Sequence, residues 1–260
     1  NTDFDLAFYP GLDISCELSD NFKLFGTVNR SLRLPTYTDL YYDGPTNVGN
    51  PNLKPEESLS YETGLKFINE IAAVNFSVFR REGKNVIDWV KPKGAADSIE
   101  WSPENLTDVT GNGLEISAKL FTETNIITGL NLSLHHLKLS YTYVNLEKSS
   151  GDFLSYYAMD FLRHKLIFGG TVMYKDIVGA NLKLNFQDRA GTYHNYEKDK
   201  ETPYDPVFLT DLRIFGNWKY MNIFIEASNL FDVRYNDLAN IWMPGRWIRA
   251  GIEADIDLED

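Results

Sequence analysis

Ala180-Asn181-Leu182-Lys183-Leu184-Asn185-Phe186-Gln187 sets an apolar side chain at every even position and a polar one at every odd position. Successive side chains on a β-strand point to opposite faces, so this segment has one greasy face and one wet face. The pattern recurs along the chain. Leu12, Ile14, Cys16 and Leu18 alternate with Asp13, Ser15, Glu17 and Ser19. Leu59, Tyr61, Leu65 and Phe67 alternate with Ser58, Ser60, Glu62 and Lys66, and Ala72, Val74, Phe76 and Val78 follow. Leu114, Ile116, Ala118 and Leu120 continue it, as do Leu137, Leu139, Tyr141 and Tyr143, then Leu166, Phe168, Val172 and Tyr174. Ile248, Ala250, Ile252, Ala254 and Ile256 close the series. Helical spacing of three and four explains none of these runs.

The connections alternate in length. Short turns are expected near Asp20-Asn21, Asn69-Glu70, Asp176-Ile177 and Lys219-Tyr220, and long polar links over Leu32 to Glu56, Gly83 to Gly113, Glu147 to Leu162, Ala190 to Pro206 and Asn229 to Gly245. Tight turns at one end and long loops at the other describe a transmembrane β-barrel, with periplasmic turns and extracellular loops. A soluble β-sandwich also alternates with period two, but its loops are usually short at both ends. Tyrosines near the strand ends, where aromatic girdles sit, favour the barrel. About eleven strands are expected. Single-chain bacterial barrels have even strand numbers, so an odd count predicts that residues 1–260 are part of a larger all-β antiparallel barrel.

Composition narrows the function classes. Of 260 residues, 43% are hydrophobic and 24% charged, as in ordinary folded proteins. Aromatics reach 14%, so many large amphipathic rings need a place. A net charge of −12 without a basic run argues against nucleic acid as a partner, because phosphate binding needs clustered Lys and Arg. Cys16 is the one cysteine, so an intrachain disulfide and a multi-cysteine zinc site are both excluded. The acidic stretches Asp39 to Asp43 and Asp255-Ile256-Asp257 lack the fixed spacing of a calcium loop. No metal or cofactor site is expected. The histidines His135, His136, His164 and His194 stand beside no Gly-x-Ser-x-Gly or His-Glu-x-x-His motif, so no catalytic residue is assigned and the protein is not expected to be an enzyme. The Asn-x-Ser/Thr triplets at Asn75, Asn105 and Asn131 are chance matches if the protein is bacterial.

Two stretches carry a family resemblance. The first is Arg33-Leu34-Pro35-Thr36-Tyr37-Thr38-Asp39-Leu40-Tyr41-Tyr42, followed by Gly49-Asn50-Pro51-Asn52-Leu53-Lys54-Pro55-Glu56-Glu57-Ser58. The second is Ala227-Ser228-Asn229-Leu230-Phe231-Asp232-Val233-Arg234-Tyr235, then Met243-Pro244-Gly245-Arg246-Trp247. With Phe79-Arg80-Arg81, Asn85 to Trp89 and Gly113-Leu114-Glu115 between them, they resemble, in order, the C-terminal barrel motifs of TonB-dependent outer-membrane receptors. Locally, the prolines keep the preceding residues extended and steer a loop into a strand. Asn229 and Asp232 suit a turn through side-chain hydrogen bonds to their own backbone, and Gly245 is expected to let the chain bend before Trp247.

The resemblance implies the C-terminal half of a barrel of about twenty-two strands with a plugged lumen. It further implies a Gram-negative outer-membrane location in contact with lipid, and TonB-coupled uptake through a plug domain that would precede this chain. The ligand would be cobalamin, an iron–siderophore or haem. Members usually end on an aromatic residue, whereas this chain ends Asp257-Leu258-Glu259-Asp260. The ligand-binding candidates are the loop aromatics Tyr37, Tyr41, Tyr42, Trp101, Tyr193, Tyr196 and Trp242, with Arg33 to grip an anionic chelate. The plainer role for each ring is girdle or loop packing. An adhesion barrel without transport and a soluble β-sandwich binding module are the competing readings.

Overall fold

A computed structural model describes residues 8–96, 98–106, 108–127, 129, 131–148, 153–155 and 161–254. Asn1 to Asp5, Asp255-Ile256-Asp257, the final residues and most of the Glu147 to Leu162 link lie outside the described residues. The elements begin with β1 (Gly11–Ser19) and β2 (Phe22–Arg33), then a short helix α1 (Tyr37–Tyr41). Next come β3 (Glu56–Ile68), β4 (Ala72–Lys84), β5 (Val86–Pro92), β6 (Ser102–Leu106), β7 (Val109–Ile127) and β8 (Leu132–Lys148). Then follow β9 (Phe153–Ser155), β10 (Leu162–Tyr174), β11 (Val178–Arg189), β12 (Thr192–Asn195) and β13 (Lys200–Pro203). The chain continues through β14 (Val207–Trp218), β15 (Met221–Ser228), β16 (Asn236–Leu238), β17 (Ile241–Trp242) and β18 (Trp247–Ala254).

Eleven of these strands form one sheet in the order β1-β2-β3-β4-β7-β8-β10-β11-β14-β15-β18, so each neighbour in space is the next main strand in sequence. This is the expected meander. β1 and β18 are its two edges, and the sheet does not close on itself. The long links contribute small sheets of their own: β6-β5-β9, β12-β13 and β16-β17. The helix α1 and these loop strands were not foreseen from the alternation, which reports only the main strands.

The chain forms two compact units, residues 1–65, 77–114 and 144–161, and residues 66–76, 115–143 and 162–260. In the second unit the antiparallel register carries the alternation across strands. Leu139 pairs with Phe168, and Phe168 with Leu184. Leu182 pairs with Leu212, Leu212 with Ala227, and Ala227 with Ile248. Ile214 pairs with Ile225, and Ile225 with Ala250. The opposite face pairs Lys183 with Asp211, and Arg213 with Glu226, itself paired with Arg249. Lys183 and Asp211 form an ion pair at 3.2 Å, and Arg213 reaches Glu253 at 2.9 Å. In the first unit the β1–β2 pairing likewise matches Leu12 to Val28 and Cys16 to Leu24.

The apolar face stays uncovered. Leu182 is 39% exposed and Ile252 67%, while Leu184 and Phe186 are only half-buried. A sandwich would bury such residues against a second sheet. The buried apolar residues lie elsewhere: Ile87, Trp89 and Val90 of β5 in the first unit, and Met173, Ala190, Tyr204, Val207 and Leu209 in the second.

One irregularity re-phases the pattern. His136 pairs with Thr171 but Leu134 with Val172, so His135 is an extra residue on β8. Bulges of this kind shift which face a side chain meets. The bulge lets Leu132 and Leu134 share a face with Leu137 and Leu139 despite the change of parity.

If the exposed apolar face is solvated by lipid, Leu182→Arg in the full-length protein should cost about 2–4 kcal/mol near the bilayer midplane, and Lys183→Met far less. Reversible unfolding from lipid vesicles measures both. Equal costs at the two positions would mean that the faces are not solvated differently.

Candidate functional site

The first long link is built around α1. Thr36 caps it: the Asp39 amide donates to Thr36 Oγ1 at 3.1 Å, and Thr36 N and Oγ1 donate back to Asp39 Oδ2 at 3.0 and 2.7 Å. This reciprocal box satisfies amides that a helix start leaves orphaned. The other Asp39 oxygen accepts from the Trp89 indole at 3.2 Å in a buried setting, and Arg33 Nη1 lies 4.0 Å from Oδ2. Burial pulls the Asp39 carboxyl upward. The Thr36 hydroxyl and amide, the Trp89 indole and the Arg33 charge outweigh it and hold the group below the ordinary carboxylate range.

Arg33 grips Glu56 with two parallel bonds, Nε to Oε2 and Nη2 to Oε1, the latter at 2.6 Å. Glu56 Oε1 also accepts from the Ile87 amide at 2.7 Å. The fork geometry is the strong form of this pairing. It ties the end of β2, the start of β3 and the start of β5 into one knot.

Gly49 and Asn50 close the far end of α1. Gly49 N donates to Tyr42 O at 2.7 Å, and Asn50 N to Asp39 O at 2.8 Å. A Cβ on Gly49 would sit 2.8 Å from Leu40 C, Tyr41 N and Tyr42 N, all backbone atoms that cannot step aside. Asn105 stitches the same region: its amide nitrogen donates to Lys54 O and Asn85 O at 2.9 and 2.7 Å, and its oxygen accepts from Lys54 N at 2.7 Å. Sequence reading passed over Asn105 as a chance triplet. Lys148 forms a buried ion pair with Asp88, and Ser155 of β9 pairs with Val90, so the third link is fastened to β5 as well.

On this scaffold five of the sequence candidates fall in the first unit. Tyr37 is 79% exposed, Tyr41 55% and Tyr42 47%. The Tyr37 and Tyr41 rings stand 5.1 Å apart, and Tyr42 meets the Trp89 ring edge-on at 6.3 Å. Trp101 is half-buried, with Lys91 over its ring at 5.1 Å and backbone bonds to Thr46 and Val48. Arg33 serves the knot, with its side chain still half-exposed.

Tyr193, Tyr196 and Trp242 fall in the second unit. Tyr193 packs on the buried Tyr204 at 4.9 Å, and Tyr204 Oη accepts from Ala239 N at 2.9 Å. Arg189 bonds Asp237 at 2.6 Å. Tyr196 is 78% exposed and Trp242 57%. Asn240 joins the two links, accepting from Tyr196 N at 3.2 Å and donating to His194 O at 2.9 Å.

The second motif is also a knot. Asn229, at φ 49°, accepts from Val233 N and donates to Val233 O, both at 2.9 Å. Asp232 Oδ1 accepts from Arg246 N at 2.8 Å. Gly245 makes room for the Asp232 carboxylate. Its φ is ordinary, but a Cβ there would lie 2.4 Å from Asp232 Oδ1. His135 and His136 meet different partners: His135 lies 3.1 Å from Ser133 Oγ and 3.4 Å from Asp176, and His136 3.2 Å from Thr171 Oγ1. Among the described residues no group of three His, Cys, Asp or Glu side chains is arranged to hold a metal.

A family model described as "TonB dependent receptor-like, beta-barrel" matches residues 1–230. The vitamin B12 transporter BtuB of Vibrio vulnificus (strain YJ016) is 37% identical over 109 residues, 42% of this chain and 16% of that protein. BtuB of Photobacterium profundum is 27% identical over 135 residues, 52% of this chain and 20% of that protein. Among solved structures, the copper transporter OprC superposes with TM-score 0.70 at 17% identity, covering 94% of this chain and 38% of that one. The siderophore receptor PirA of Acinetobacter baumannii gives TM-score 0.68 at 17% identity, covering 94% and 40%. These structures share the fold, and this chain spans about two-fifths of their length.

Two outcomes follow from the first knot. Gly49→Ala should open the Arg33–Glu56 link to limited proteolysis in the full-length protein, whereas Gly216→Ala, whose nearest outside atom is 3.9 Å away, should not; equal resistance of both variants would mean that the close approach at Gly49 is relaxed in solution. Because the folded Asp39 pKa is depressed, its stabilisation is present above the ordinary carboxylate pKa and is lost as pH falls through the lowered value. Denaturation midpoints measured from neutral pH to about pH 3 should therefore fall less in Asp39→Asn than in the parent.

Proposed function

Starting from the fact that this chain belongs to the TonB-dependent receptor-like β-barrel family, we propose that it forms the wall and part of the ligand-binding mouth of a receptor importing cobalamin across a Gram-negative outer membrane. An iron chelate, as siderophore or haem, is the second reading. The observation that carries the proposal is the exposed Tyr37–Tyr41 pair beside Tyr42, held on a helix whose capping carboxylate is fixed by a buried indole. Rings held out from an ordered scaffold offer a large contact area at little entropic cost. Trp101 is a further proposed contact in the first unit, and Tyr193, Tyr196 and Trp242 are proposed contacts carried by the second unit by itself. Arg33 positions the platform through Glu56, and its guanidinium is the proposed contact for an anionic group of the ligand.

Cobalamin stands first because the curated relatives BtuB of Vibrio vulnificus and Photobacterium profundum are named vitamin B12 transporters. The solved structures named for siderophores support the second reading by fold alone. The family is one of receptors and transporters, and the proposal includes no covalent step. Transport would depend on a plug domain preceding this chain, opened by TonB once ligand is bound outside.

Calorimetry on the full-length protein tests the assignment. Cyanocobalamin should bind, and Tyr37→Ala and Tyr41→Ala should each weaken it by about tenfold or more, roughly 1.4 kcal/mol. Binding of a ferric siderophore or haem in its place would select the second reading; silence with all of these ligands would reject both.

A further inference from the structure

In the first unit the apolar face carries a charge where alternation would place another greasy side chain. Arg80 continues the parity of Phe76 and Val78 along β4, and its side chain is 52% exposed. Two of its three guanidinium nitrogens are held: Nε donates to Glu82 Oε1 at 2.7 Å, and Nη1 to Asn112 Oδ1 at 3.4 Å. Its Nη2 has no partner among the described residues. On β2, Arg30 likewise follows Val28, beside Glu57 at 2.7 Å, but there the Tyr9 ring backs the guanidinium at 5.5 Å. An arginine on a lipid-solvated face is costly unless it reaches the interface or a counter-charge.

Arg80 has a groove instead of a backing ring. The groove holds about 240 Å³ between β3 and β4, and Tyr61, Thr63 and Val78 line it from the same face as Arg80. Glu62 and Phe79 border it from positions of the opposite parity. Tyr61 and Val78 are each 40% exposed. Thr63 spends its hydroxyl on Phe25 O at 3.0 Å. The groove therefore combines an apolar floor with the Tyr61 phenol and one unmatched guanidinium nitrogen.

These features select the occupant. Inorganic phosphate would pair with Arg80 and leave the Tyr61 and Val78 surfaces bare. A hydrocarbon chain alone would cover those surfaces and leave Nη2 unmatched. A lipid with a phosphate headgroup does both, because guanidinium is a strong phosphate partner and the acyl chain covers the floor.

We propose that the β3–β4 groove is a defined site for one phosphate-bearing lipid. Arg80 contacts the phosphate, Tyr61 is a second donor, and an acyl chain lies along Val78. Glu82 and Asn112 are positioning residues that hold the guanidinium by its other two nitrogens. The proposal rests on the reading that this face is solvated by lipid, and it adds a place where one lipid is held by its headgroup.

Native mass spectrometry of the full-length protein released from detergent is the test. Dioleoyl phosphatidylglycerol, dioleoylglycerol and inorganic phosphate are added separately. The phosphatidylglycerol adduct should survive activation that strips the other two, a comparison that needs no substitution. Arg80→Gln should lower that adduct several-fold and Arg163→Gln, on β10, should not, with heat-modifiable gel migration confirming that both variants are folded. Equal retention of dioleoylglycerol, retention of phosphate alone, or an adduct that Arg80→Gln leaves intact would each overturn the site. Vesicle flotation keeps the two readings apart: a protein that floats with vesicles but holds no selective adduct loses the site alone, and one that stays out of them loses the lipid-facing reading as well.

Discussion

Every backbone N–H and C=O in a membrane-spanning segment has to be paired inside the protein, because hydrocarbon offers no partner. In this chain the pairing runs strand to strand through an eleven-stranded meander. Antiparallel pairing places residues directly opposite one another, so alternation along one strand becomes a continuous face across several. The rows from Leu139 to Leu184 and from Leu182 to Ile248 are the result. A slip of one residue in any of these pairs would exchange the two faces. The bulge at His135 is where the chain itself makes that exchange, and it does so just where the sequence changes parity.

The apolar face of the sheet is uncovered, and much of the buried apolar surface lies where the links fold back. Around β5, Ile87, Trp89 and Val90 are buried and the polar groups beside them are matched. Asp39 faces the Trp89 indole, Glu56 the Ile87 amide, and Lys148 the Asp88 carboxylate. Removing one member of a buried ion pair strands its partner's charge and typically costs about 3–5 kcal/mol. The links are thus small folded structures, which lets α1 hold Tyr37 and Tyr41 out in solvent without losing its shape.

The family motifs take on a physical meaning here. Arg33, Thr36, Asp39, Gly49, Asn50 and Glu56 are spent on one another and on backbone groups. Asn229, Asp232, Gly245 and Arg246 do the same around the entry to β18. The motif residues hold the links, and the aromatics Tyr37 and Tyr41 between them stand exposed. Reading Arg33 only as an anion grip misses this, because a sequence does not show that Glu56, 23 residues on, is its partner. The burial of β5 had a faint signal in the apolar run Val86-Ile87 and Trp89-Val90; Asn105 had none, since an amide that bridges two distant carbonyls looks like any loop asparagine.

The sequence by itself determined the strands, the turns between them and the two unlike faces, because a period of two is a local property that any eight residues carry. It also marked the links by their length and their prolines. Tertiary structure alone decided that Trp89 caps Asp39, that Asp88 meets Lys148 from 60 residues away, and that Gly49 must lack a Cβ. Those contacts join segments far apart in the chain. They depend on where the sheet brings the strand ends, a quantity that no local pattern encodes.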